Sequence, residues 1–112
     1  MSGKPVIPRE QALRDVEAAI DYYVSEAGER VALGFIEALE AAYRAIAEHP
    51  STGSPRYAHE LNLPGLRSRA LKRYPYLVCY IEHEHHLDIW RVLHAQRDIP
   101  AGMQASDDPE LL

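Results

Sequence analysis

Between residues 13 and 46 apolar side chains recur at every third or fourth position. Leu13, Val16, Ile20, Tyr23, Val24 and Ala27 form one stripe, with Asp15, Glu17, Asp21 and Glu26 largely off it. Ala32, Phe35, Ile36, Leu39, Ala42, Tyr43 and Ile46 form a second. This spacing predicts two amphipathic helices, over residues 8–27 and 29–49. Pro8 suits a first helical turn, Gly28 a left-handed closing position, and Pro50 a stop. So short a joint makes an αα-hairpin, each arm about 30 Å long at about 1.5 Å per residue. Alanine is frequent along the second arm, which favours helix formation and close approach.

After residue 63 the period shortens. Residues 66–74, 77–82 and 86–94 are rich in β-branched, aromatic and Leu side chains and predict three strands. Pro75 cannot donate to a ladder and belongs in the first connection, the polar cluster at 82–86 in the second. Connections this short join antiparallel neighbours, so the strands form a meander. Residues 51–57, with Gly53 and Pro55, read as a loop, and Gly65 permits a tight entry to the sheet. Val6 and Ile7 predict a very short edge strand. The fold class is α+β, a helix hairpin packed on a small antiparallel sheet. Strict alternation puts Leu77, Cys79 and Ile81 on one face and Val78 and Tyr80 on the other. In the last strand it groups Leu87, Ile89 and Leu93 with Arg91, against Trp90 and Val92. A hairpin covers one face only, so Trp90, Val92, Val78 and Tyr80, or a similar set, are expected to be exposed beside the basic strand, an apolar patch suited to a partner.

At 112 residues the chain makes one domain: an arm or short strand at 1–7, the hairpin at 8–49, the sheet at 63–98 and a loose acidic tail at 99–112. The net charge of −5 argues against a protein that coats nucleic acid, and no sequence-specific nucleic-acid binding is expected. The charge is uneven, however. The first sixty residues hold ten of the seventeen acids, whereas residues 61–81 carry Arg67, Arg69, Lys72 and Arg73 and no acid at all. A single cysteine, Cys79, excludes an internal disulfide and fits a reducing compartment. No apolar run approaches the roughly 20 residues of a membrane span, and no signal-peptide core opens the chain, so the expected location is cytoplasmic.

Few groups suggest chemistry. His83, His85 and His86 fall where a turn is expected, and adjacent ligands on a strand point to opposite faces. They read as a solvated turn, with no metal or cofactor expected. Cys79 reads as a small apolar core residue. His94, Arg97 and Asp98 read as a strand end in which Asp98 pairs with an arginine and His94 satisfies backbone groups. The active alternative makes His94 a general acid or base beside the cations Arg67, Arg69, Arg73, Arg91 and Arg97, as cleavage of RNA requires. A lone proton carrier favours the structural reading.

The order of hairpin and meander, with AIDYY (19–23), HPSTGSPR (49–56), LPGLRSRALKRYPYLVCY (63–80) and IWRVLHAQRD (89–98), resembles the RelE/ParE toxins of bacterial type II toxin–antitoxin systems. The resemblance spans residues 10–98 and implies a toxin neutralised by a co-expressed antitoxin whose C-terminal segment wraps it in a hetero-oligomeric complex. The LPGLR and LHAQRD segments are closer to the ParE branch, which poisons DNA gyrase, and no tyrosine follows Tyr80 where the messenger-cleaving RelE branch often places one. The resemblance therefore implies a gyrase inhibitor with a ParD-like antitoxin. A ribosome-dependent ribonuclease using His94, Arg67 and Arg97 is the alternative, and an interaction-only homologue a third. On this reading Arg67, Arg69, Lys72, Arg73, Tyr80 and Trp90 meet the antitoxin, and Arg91, His94, Arg97 and Asp98 meet the target.

Overall fold

The computed structural model describes residues 4–59 and 61–98, so the expectations for residues 1–3 and for the tail at 99–112 lie outside the described residues. In chain order the elements are β1 (Val6–Pro8), α1 (Glu10–Ala27), α2 (Glu29–Glu48), a 3-10 turn (Pro50–Thr52), β2 (Leu66–Ala70), β3 (Tyr76–Glu82) and β4 (Leu87–His94). The helix hairpin lies on one face of a four-stranded sheet of order β1-β4-β3-β2. β2, β3 and β4 form the expected antiparallel meander. The short N-terminal strand exists, but it pairs with β4 in parallel, which makes the sheet mixed.

Two boundaries differ from expectation for local reasons, and a third, at Gly28, is kept in another backbone conformation. Pro8 ends β1 opposite Ile89 and does not open the helix; the Arg9 amide still reaches the Ile89 carbonyl, so α1 starts only at Glu10. β2 stops at Ala70, where the Leu71 amide turns to the Tyr76 carbonyl and Arg73 adopts φ 72°. Lys72 and Arg73 therefore stand in a connection and not on the strand. Gly28 has φ 98° with an extended ψ of 168°, so it needs glycine while breaking the chain between helices more sharply than a left-handed cap would.

The faces of β4 depart from strict alternation. Opposite β3 the register steps from Ile89–Tyr80 to Arg91–Cys79, leaving Trp90 as an extra residue. Such a bulge reverses side-chain parity along the rest of the strand. Leu87, Ile89 and Val92 thus share the helix-covered face, while Trp90 and Leu93 share the other. Under the helices, Val78, Tyr80 and Val92 are fully buried with Phe35 and Ile46, which corrects the exposed patch anticipated above. The second face is covered by the loop before β2, where Tyr57 packs with Leu66 and Cys79, and Leu61, Leu63 and Trp90 lie alongside. On α1 it is Ala12 and Ala19 that are buried, whereas Leu13 and Val24 of the anticipated stripe are half exposed.

Candidate functional site

The basic strand lies at one edge of the sheet. Arg67 and Arg69 oppose Tyr80 and Val78, so they project on the helix side beside α2. Arg67 donates to the Gly53 carbonyl at 2.7 Å and Arg69 to the Thr52 hydroxyl at 3.3 Å. Among the described residues no carboxylate lies within ion-pair distance of Arg67, Arg69, Lys72 or Arg73. A groove of about 250 Å³ runs between this strand and α2, lined by Ala38, Ala41, Ala42 and Ala45 on one side and Arg69, Ala70 and Lys72 on the other. The alanines keep the floor shallow and apolar, and the cations rim it. Along the outer edge of β2, Ser54 exchanges both backbone hydrogen bonds with Ser68 at 2.8 and 2.9 Å, so this edge is already partly paired.

Tyr80 does not join this surface. It is 0% exposed, and its hydroxyl donates to the Pro50 carbonyl at 2.6 Å, fastening the 3-10 turn to the sheet. Its expected contact with an antitoxin is therefore withdrawn. Trp90 is separated from the basic strand altogether. It lies on the opposite face near the opposite edge, under the Arg9 guanidinium at 4.0 Å. There a larger groove, of about 740 Å³, is lined by Arg9, Leu61, Leu63, Trp90, Arg91 and Leu93, with Asp15 and Asp98 at its margin. Among the described residues the buried indole N–H of Trp90 has no hydrogen-bond partner. The basic strand and Trp90, expected on one surface, thus lie on different sides of the sheet.

His94, Arg97 and Asp98 do come together at the end of β4. The Asp98 carboxylate accepts the His94 amide at 2.8 Å instead of pairing with an arginine. His94 Nδ1 accepts the amides of Gln96 and Arg97 at 3.1 and 3.2 Å, and its ring meets Tyr76 edge-on. Burial, followed by the Arg97 charge, holds the His94 pKa below the usual histidine value. Its backbone-capping nitrogen is committed, as the structural reading requires. Arg97 reaches the Tyr76 hydroxyl at 3.3 Å and lies 5.8 Å over Tyr22, beside a hollow of about 280 Å³ between α1 and β4. Arg91 is on the other face, its guanidinium bound to Asp15.

Of the ribonuclease set, His94 and Arg97 adjoin, but Arg67 does not join them. Arg67 opposes Tyr80 whereas His94 opposes Tyr76, four residues along β3. That separates them by about 13 Å along the strand direction alone. Cys79 is buried, with its thiol pushed up to about 11 by desolvation, which suits packing and not nucleophilic attack. Asp15, Arg9 and Asp88 were missed in the sequence, where they read as ordinary helix-surface or strand charges. Only the bulge and the early end of β1 reveal their partners.

A helix hairpin on one face of a small sheet, with a cationic, partly paired edge strand and an arginine-bearing strand end, is the architecture that the resemblance to RelE/ParE toxins implies. The family of the ParE toxin of the type II toxin–antitoxin system parDE matches residues 6–99, and the chain belongs to that family. A solved structure described as the chromosomal ParDE TA system from P. aeruginosa is similar in fold, with TM-score 0.70 at 20% identity over 83% of this chain and 97% of that one. No curated protein sequence matches the chain. Among the described residues no helix is long and apolar enough to cross a membrane.

Proposed function

We propose that this ParE-family toxin acts in the cytoplasm on DNA gyrase and is neutralised by a ParD-like antitoxin. The family match over residues 6–99 carries the reading. The separation of Arg67 from His94 supports gyrase over the ribosome, because RNA cleavage needs its base and cations about one phosphate. Arg97, exposed at the end of β4 beside Tyr22, is the residue this reading puts against the target.

For the antitoxin, the two grooves support a wrapping segment. An acidic stretch follows Arg69, Lys72 and Arg73, whose charges have no carboxylate partner among the described residues, and an apolar side chain enters the Trp90 groove. Two assays test the target: purified toxin added to a gyrase supercoiling reaction, and to translating ribosomes with an end-labelled message. Inhibited supercoiling with an intact message is expected. Codon-positioned cleavage with supercoiling untouched overturns the gyrase reading. Failure in both, with tight antitoxin binding, leaves an interaction-only protein.

A further inference from the structure

The turn between β3 and β4 is more than solvated. Glu82 opposes Leu87, and the His83 amide donates to the His86 carbonyl at 2.9 Å, so His83 and His86 are the next cross-strand pair. Cross-strand partners project on one face, and Asp88, two residues beyond His86, returns to that face. The two imidazoles stack with centroids 4.7 Å apart and planes 13° from parallel. One ligand atom from each of His83, His86 and Asp88 lies within 4.8 Å of the other two. His85 and Glu84, at the tip, extend away with side chains 87% exposed.

We propose that His83, His86 and Asp88 form a binding site for a borderline divalent cation of the Zn²⁺ or Ni²⁺ kind, completed by water. Two imidazoles and one carboxylate favour such ions over Mg²⁺ or Ca²⁺, which prefer oxygen. His83 Nε2 and Asp88 Oδ2 stand 3.2 Å apart. Bonds of about 2.0 Å in a tetrahedral site separate neighbouring ligands by about 3.3 Å, so these two atoms already span one edge of it. The ion replaces the hydrogen between them, and rotation of the half-buried His86 ring out of the stack supplies the third bond. Arg9 holds the carboxylate from behind, through Nε to Oδ1 and Nη2 to Oδ2, each at 2.9 Å. Such an outer partner fixes the ligand's direction. Its positive charge also weakens the site, which makes this a modest, reversible one. Lys4 binds Glu82 and the His83 carbonyl, and Ile7 of β1 pairs with Asp88, so the ion would fasten the turn to the N-terminal strand.

The test is calorimetric titration of Zn²⁺ into the untagged full chain after chelator treatment, with thermal melting and imidazole NMR alongside. One equivalent should bind, raise Tm, and shift His83 and His86 resonances but not those of His85. His83→Ala and His86→Ala should each weaken binding by about tenfold or more, while His85→Ala leaves it unchanged. Absence of binding overturns the proposal, as do equal binding of Mg²⁺, survival of binding in His83→Ala and His86→Ala, or an equal loss in His85→Ala. The NMR shifts in the wild-type chain decide the matter even if a variant fails to fold.

Discussion

The Asp15 carboxylate clamps the Arg91 guanidinium, tying the first helix to the last strand through bonds of 2.8 and 3.1 Å. The same carboxylate accepts the Val92 amide at 3.0 Å, a group left bare because β1 ends at Pro8. Exposure decides how the two partners differ: the Asp15 side chain is 11% exposed and that of Arg91 42%.

Removing Asp15 should therefore cost more than removing Arg91. Asp15→Ala leaves a buried amide and a guanidinium without acceptors, at about 2–3 kcal/mol, whereas Arg91→Ala leaves the carboxylate on Val92 and costs about 1 kcal/mol. Urea unfolding of both variants at constant m checks the order. Equal costs would mean that the Val92 amide finds another acceptor.

Gly53 and Tyr80 should be strongly coupled. A Cβ at residue 53 would collide with the Tyr80 hydroxyl and stand 3.0 Å from the Arg67 Cβ, although the backbone there, at φ −67°, suits any residue. Gly53→Ala should cost about 1–3 kcal/mol through this collision. Tyr80→Phe loses the bond to Pro50, at about 1 kcal/mol, and removes the atom struck first, so it relieves part of the collision and leaves the ring carbon at 2.8 Å. The double variant should then be more stable than the sum of the single costs implies. Strict additivity in denaturant melts would rule out the collision.

The helix hairpin and the meander are legible in the sequence because each rests on local periodicity. Ala32, Phe35, Leu39, Ala42 and Ile46 are buried as their spacing requires. What strict alternation cannot show is the extra residue at Trp90, since a bulge depends on the partner strand and leaves no local signature. That one residue carries Val92 to the helix side with Leu87 and Ile89, away from Trp90, while Val78 and Tyr80 keep their expected alternation on β3 and face the helices. The site divides similarly. Arg97, His94 and Asp98 adjoin in sequence and meet in space, whereas Arg69 and Trp90 belong together only if the faces of β4 are misassigned.

Stability should fall in mild acid partly through His94. Its pKa is held below the ordinary 6.5 by burial and then by Arg97, so the folded chain binds fewer protons at this ring than the unfolded one. The contribution is complete above 6.5 and is lost as pH drops through that value toward the lower folded pKa. His94→Asn, which keeps an acceptor for the Gln96 and Arg97 amides, should lose less stability than wild type between about pH 7.5 and about pH 5. Identical losses in paired urea titrations would show that His94 protonates equally in both states.

Cys79 should be chemically silent in the folded chain. It is 2% exposed and its thiol is pushed up to about 11 by burial. Modification by a disulfide reagent at about pH 8 should track the unfolded fraction as denaturant rises. Rapid stoichiometric reaction without denaturant would mean that the loop over the second face opens readily.

Antitoxin binding should separate kinetically between the two grooves. Arg69 and Lys72 rim the α2 groove with no carboxylate partner among the described residues, so on the proposed reading they should act at a distance and steer an acidic segment during encounter. Changing both to Glu should slow association by about tenfold at low salt and flatten its salt dependence, with little effect on dissociation. Trp90 instead offers contact area in the larger groove. Trp90→Ala should leave association nearly unchanged and speed dissociation, as loss of a buried aromatic anchor does. Circular dichroism would confirm that each variant is folded, since Trp90 also carries the Arg9 stack. Stopped-flow association and surface-bound dissociation then read the two rates separately. Unchanged association of the double Glu variant at every salt concentration would remove the basic strand from the interface. An unchanged dissociation rate for Trp90→Ala would confine the antitoxin to the α2 side.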